Sequence, residues 1–205
     1  MMSRKKPSGE AECWAALRES DPDDVCRRSG AAYDPETGCY TCRCLGAELR
    51  LDPTAERIDG GFEIPFAEGE PLPMISVSLL HYLVSVTDVA PANNPVNPRV
   101  LPSGPMYSQG THVLPLPQLA AAYADDPEAF LKRGRSLGGV PLDHGDAAVR
   151  LEPFPRTAMV VVLWTRDDEF PERASLLTDE RVEEQIPADI VWAAAMFCVL
   201  AMMPS

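Results

Sequence analysis

The chain has 205 residues, 45% of them hydrophobic, enough to bury a substantial core and few enough to favour a single folding unit. Its 31 acidic residues outnumber 18 basic ones, giving a formal net charge of -13 and a pI near 4.6. Such a charge repels phosphate backbones and anionic headgroups, so the composition argues against nucleic acid and membrane as partners.

The basic run Arg4, Lys5, Lys6 stands beside Pro7, Ser8 and Gly9 and reads as a disordered tail over 1–9. No apolar run follows it, as a secretory leader would require. Helices are expected over 10–19, around Trp14 and Leu17, and over 22–29. The second begins with Asp21-Pro22, an acceptor cap followed by a proline that needs no amide partner, and ends where Gly30 can turn left-handed. After the turn sequence YDPETG, the pattern becomes extended in short runs over 39–45, 47–51 and 55–58, as in an antiparallel meander.

The first of these runs, GCYTCRCLG, places Cys39, Cys42 and Cys44 within six residues. Strand alternation puts Tyr40, Cys42 and Cys44 on one face and Thr41 and Arg43 on the other. A zinc or iron-sulfur site needs four ligands, and Cys39-X-X-Cys42 has no second pair downstream. The spacing therefore favours a half-buried strand in which cysteine acts as a small hydrophobe, with no metal site. Six cysteines without a framework spacing point to thiols in a reducing, cytoplasmic compartment.

Residues 74–87 are apolar nearly all round and predict a central helix, with His81 a core imidazole. The proline-rich stretch 90–105 reads as an ordered surface loop. Helices are expected over 117–123 and 127–135, the latter capped by Asp126-Pro127 and closed by LGG. Strands are expected over 147–154, 158–166 and 174–177. The uncharged run 190–203 would span roughly 21 Å as a helix, short of the ~30 Å of a bilayer core, so it reads as a buried terminal helix. The whole predicts an α+β fold: one domain over 10–205, with an antiparallel sheet, helices packed on one face and an apolar C-terminal helix.

Two polar groups stand apart from these needs. The loop 103–112 offers two glycines with Tyr107, Gln109 and His112, or else Tyr107 simply plugs the core. The carboxylates Asp146, beside His144, and Asp167, Asp168 and Glu169, after the central strand, could bind a cation or act as acid and base. Alternatively, DDEFP is a solvated turn whose Phe170 folds back. A hairpin over 147–164 would carry Asp146 toward Asp167 and Asp168. The nucleophile elbow, phosphate-binding glycine loop, HExxH and paired CxxC motifs are all missing from the sequence.

The run MVVVLWTRDDEFPERASLLTD, with upstream HYL, LPSGPMY, LGG and GDAA, resembles the bacterial and archaeal family catalogued as domain of unknown function 3786, over about 10–203. The most specific element is an apolar strand, Trp164, an acidic pair, Glu169-Phe170-Pro171, and a leucine-rich strand ending in Asp179. The resemblance implies an uncharacterised protein of anaerobes, in a family some of whose members are joined to a cysteine-rich iron-sulfur domain. Within this sequence no such four-cysteine cluster precedes or follows the core, and Cys42 stands where relatives carry an aliphatic residue, in agreement with strand packing. Two functions follow. One is an accessory or ligand-binding module for metallocofactor-dependent anaerobic metabolism, contacting a metallocofactor protein or a small-molecule ligand through the 103–112 loop and the Trp164 end of the sheet. The other is a small acid-base enzyme using His112 with Asp146 or with Asp168 and Glu169. No cofactor is assigned by either.

Overall fold

Capping chemistry sets the first elements of the computed structural model, which describes residues 9–60, 72–108 and 113–204. Helix α1 (Glu10–Glu19) buries Cys13, Trp14 and Leu17. Helix α2 (Pro22–Ser29) starts where the Asp21 carboxylate accepts from the Asp23 amide at 3.1 Å, and it ends at Gly30 with φ 75°. The tail expected over 1–9 lies outside the described residues except for Gly9.

Four short strands follow: β1 (Ala32–Asp34), β2 (Cys39–Cys44), β3 (Ala47–Asp52) and β4 (Arg57–Asp59). They form one antiparallel sheet in sequence order. Tyr40, Cys42 and Cys44 are buried and Arg43 is exposed, the alternation read from the sequence. Cys39 is buried as well, at the strand's entry. Helix α3 (Leu72–Ser85) buries Leu79, Leu80, Tyr82 and Leu83, together with His81.

The chain then runs as a strap to β5 (Pro95–Val96), two 3-10 turns at Pro98–Val100 and Gly104–Ser108, α4 (Leu116–Ala122) and α5 (Pro127–Ser136). Next come β6 (Val140–Leu142), β7 (Ala147–Phe154), β8 (Thr157–Trp164), β9 (Arg173–Asp179), α6 (Val182–Gln185) and α7 (Ala188–Met202). The second sheet is antiparallel throughout, in the order β5-β9-β8-β7-β6. The fold is α+β, but its strands are shared between two sheets rather than one. The extra strands β1, β5 and β6 are two or three residues long.

Val149, Leu151, Met159, Val161, Leu163 and Leu176 of the second sheet join Ile190, Val191, Phe197 and Val199 of α7 in one core cluster, which also takes in Cys42, Cys44 and Leu51 of the first sheet. Helices α5 and α7 lie on that inner face, while Ala148, Val160 and Val162 form a small separate cluster on the outer face. No described helix is long and apolar enough to cross a membrane.

The strap before β5 is held by side chains from distant elements. Arg28 donates to the Val86 carbonyl, Arg156 and Gln185 both donate to the Val89 carbonyl at 3.2 and 3.1 Å, and Arg181 donates to Ala90 at 3.3 Å. The Asp179 carboxylate accepts from the amides of Ala92 at 3.0 Å and Asn93 at 2.6 Å. These bonds fix where β5 meets β9.

Candidate functional site

After β5 the chain leaves the sheet at Asn97, whose Oδ1 accepts from the Arg99 amide at 3.0 Å while Pro98 opens the first 3-10 turn. The second turn packs against the first at Gly104, where a Cβ would come within 2.1 Å of the Arg99 carbonyl oxygen. Only glycine permits that approach.

Tyr107 lies on the second turn with 8% of its surface exposed. Its hydroxyl donates to Glu183 Oε1 at 2.7 Å, and the same carboxylate accepts from the Ser103 amide at 3.2 Å. Burial, and then the bond to Glu183, push the Tyr107 hydroxyl well above the ordinary tyrosine value. It is a fixed donor at neutral pH, not a base.

Between these turns, the start of α4 and the first half of β9 lies a groove of about 440 Å3. Leu116, Leu176, Val191 and Ala195 make its apolar side, and Arg99 and Arg173 make its polar rim. Glu172 also lines it and lies 3.8 Å from the Arg166 guanidinium, which meets Asp125 at 3.2 Å. Arg173 sits with its guanidinium carbon 4.3 Å from the Trp164 ring centroid, a cation-π contact across the β8–β9 pair. Among the described residues, neither Arg99 nor Arg173 is ion-paired with a carboxylate.

The sequence candidates therefore fall in different places. Tyr107 lines the groove, and Trp164 adjoins it through Arg173. Asp146, Asp168 and Glu169 are not among its lining residues. Asp146 closes the open end of the β7–β8 hairpin, its Oδ2 accepting from the Thr165 amide at 2.8 Å and the Thr165 hydroxyl at 2.9 Å. Asp167 Oδ1 accepts from the amides of Glu169 at 2.8 Å and Phe170 at 2.7 Å, bonds that hold its carboxyl below the usual range. Asp168 and Glu169 are exposed in that turn. Phe170 does not fold back onto the core, since 66% of its surface is exposed. Gln109 and His112 lie outside the described residues.

Arg99 and Arg173 were not singled out by sequence reasoning. Arg99 lies inside the proline-rich stretch 90–105, and Arg173 precedes the strand expected over 174–177, although it opens the observed β9. Their lack of carboxylate partners is a tertiary property that no local pattern carries. Elsewhere, the Cys42 and Cys44 sulfurs lie 4.0 Å apart in the core. Among the described residues, no three His, Cys, Asp or Glu side chains gather where they could hold a metal ion.

No curated protein and no solved structure matches the chain. A family model does match, over residues 21–201, a span that runs from the cap of α2 almost to the end of α7 and contains both sheets and the groove. The chain thus belongs to the family described as domain of unknown function (DUF3786).

Proposed function

We propose that this protein is a cytoplasmic accessory module whose contact surface is the groove beside β9, and that its partner is a metallocofactor protein of anaerobic metabolism. One observation carries the binding reading: Arg99 and Arg173 both line a largely apolar groove, and among the described residues neither is ion-paired with a carboxylate. A guanidinium stays charged throughout the physiological range and presents five donors, which suits recognition of an anion and not proton transfer. Two polar side chains marked in the sequence are already used within the fold. Tyr107 is bonded to Glu183, and Asp146 is bonded to Thr165. The partner class comes from the family resemblance alone.

Anoxic affinity purification of wild-type protein, the double variant Arg99→Glu/Arg173→Glu and Asp146→Asn tests the reading. A metal-bearing partner should accompany wild type and Asp146→Asn, and its recovery should fall at least about tenfold with the double variant. Equal recovery with all three proteins, or a partner without metal, contradicts the corresponding half of the proposal.

A further inference from the structure

Strand β9 is paired with β8 from Arg173 to Thr178, but on its other side β5 covers only Thr178 and Asp179. In an antiparallel ladder, successive residues direct their amide and carbonyl groups to opposite sides. Two hydrogen bonds set the phase here. The Glu180 amide donates to the Asn94 carbonyl at 3.1 Å, so even-numbered residues of β9 face the β5 side. The Asp146 amide donates to the Leu163 carbonyl at 3.0 Å, so odd-numbered residues of β8 face β7, and Val160, Val162 and Trp164 face β9 opposite Leu177, Ser175 and Arg173. Both bonds give the same answer: Ala174 and Leu176 direct their N–H and C=O groups away from β8, on the groove side. No described residue bonds to those groups.

The groove follows this edge. Its lining includes every residue from Glu172 to Leu176, from both faces of the strand, as a channel running beside the backbone requires. The chain that would otherwise have continued along the edge is β5, which turns away at Asn97-Pro98. Among the described residues, the result is a strand position that no segment occupies, with an apolar wall on the core side and two arginines that no carboxylate pairs.

We propose that the groove accepts an extended acidic peptide segment of a partner protein as an added strand on β9, paired with Ala174 and Leu176 and carrying carboxylates to Arg99 and Arg173. This rests on the binding-module reading and names the chemistry of its ligand. Main-chain bonds supply affinity in such strand addition, and alternate side chains supply specificity. Side chains turned inward would meet Leu116, Leu176, Val191 and Ala195, while those near the rim would meet the guanidinium groups. A second copy docking edge to edge would bring two further arginines to the same rim, so charge favours an acidic partner over self-association.

Fluorescein-labelled Glu-Val-Glu-Val-Glu-Val is the probe, read by anisotropy and by residue-resolved amide exchange on the full chain. Its controls are Lys-Val-Lys-Val-Lys-Val and two versions of the acidic peptide N-methylated on alternate residues, one in each phase. The acidic peptide should bind, the lysine peptide at least about tenfold more weakly, and one of the two N-methylated phases should lose about as much. In the free protein the Ala174 and Leu176 amides should exchange fast, and peptide should slow them at least about tenfold while Ser175 stays protected throughout. Binding that shifts groove resonances without N-methyl sensitivity or protection overturns strand addition and leaves the module reading intact. Strand addition is also overturned if Ala174 and Leu176 are already protected in dilute free protein, or become protected with rising protein concentration alone. Absence of acidic-peptide binding at about 1 mM overturns it too, while the copurification experiment still judges the module reading separately.

Discussion

The Cys42 and Cys44 sulfurs are 4.0 Å apart, and both side chains are almost wholly buried. The hydrogen bond with Cys42, and then burial, push the Cys44 thiol well above its ordinary value, so it is protonated and unreactive at neutral pH. Cys26 is only half-buried. A disulfide reagent should therefore modify Cys26 first in native protein and reach all six cysteines only after unfolding; fast native modification of Cys42 or Cys44 would contradict core packing. Tyr107→Phe removes a hydrogen bond to a carboxylate, and urea denaturation should register a loss of about 1–3 kcal/mol. Alkaline pH tests the buried tyrosines together. Burial pushes Tyr40 up to about 12 and raises Tyr82 and Tyr107 as well. A group that holds its proton more tightly when folded contributes stability that is complete below its unfolded value, about 10 for tyrosine, and is lost as pH rises through the folded value. The urea midpoint should thus hold to about pH 8, begin to fall as thiols of the unfolded chain ionise at about 8.5, since burial raises Cys13, Cys44 and Cys198 too, and fall further between about pH 10 and 12, less steeply in Tyr107→Phe.

Elements with strong local signals were legible in the sequence. The Asp-Pro caps placed α2 and α5, alternation placed β2 and β3, and continuous apolar runs placed α3, β8 and α7. The strands β1, β5 and β6 were not legible, because two or three residues cannot display a period and two of these strands contain proline. Pro95 and Pro141 sit on the two edge strands of the second sheet, where a missing donor is tolerated. The LGG signal, weak as a pattern, has a packing cause: a Cβ on Gly139 would come within 2.4 Å of Val149. Gly104 does the same for the groove, since the two 3-10 turns touch there. Gly104→Ala should displace the Pro98–Val100 turn and cost about 1–3 kcal/mol, with loss of groove binding. Unchanged stability and unchanged peptide affinity would show that the turns are not held by that contact.

At the scale of the whole molecule, α7 contributes much of the shared core, burying Ile190, Val191, Phe197, Cys198, Val199 and Met202 among others. Truncation after Pro187 should yield insoluble protein; a soluble, cooperatively folding fragment would contradict this arrangement of the core. The α+β class was legible from the order of periodic segments. The division into two sheets was not, because it depends on which short strands pair across long separations, such as β5 with β9. The groove was half legible for the same reason. Tyr107 and the Trp164 end were marked in the sequence, whereas Arg99 and Arg173 acquire meaning only when the strap, held by Arg28, Arg156 and Asp179, delivers β5 to the edge of β9. The central claim is that these two arginines and the adjoining strand edge form the recognition surface, and a charge swap tests it most directly. Affinities of Glu-Val-Glu-Val-Glu-Val and Lys-Val-Lys-Val-Lys-Val are measured against wild type and Arg99→Glu/Arg173→Glu. The account predicts a reversal, with the double variant preferring the lysine peptide by about the factor of ten or more by which wild type prefers the acidic one. If the preference keeps its sign, recognition does not occur at this rim.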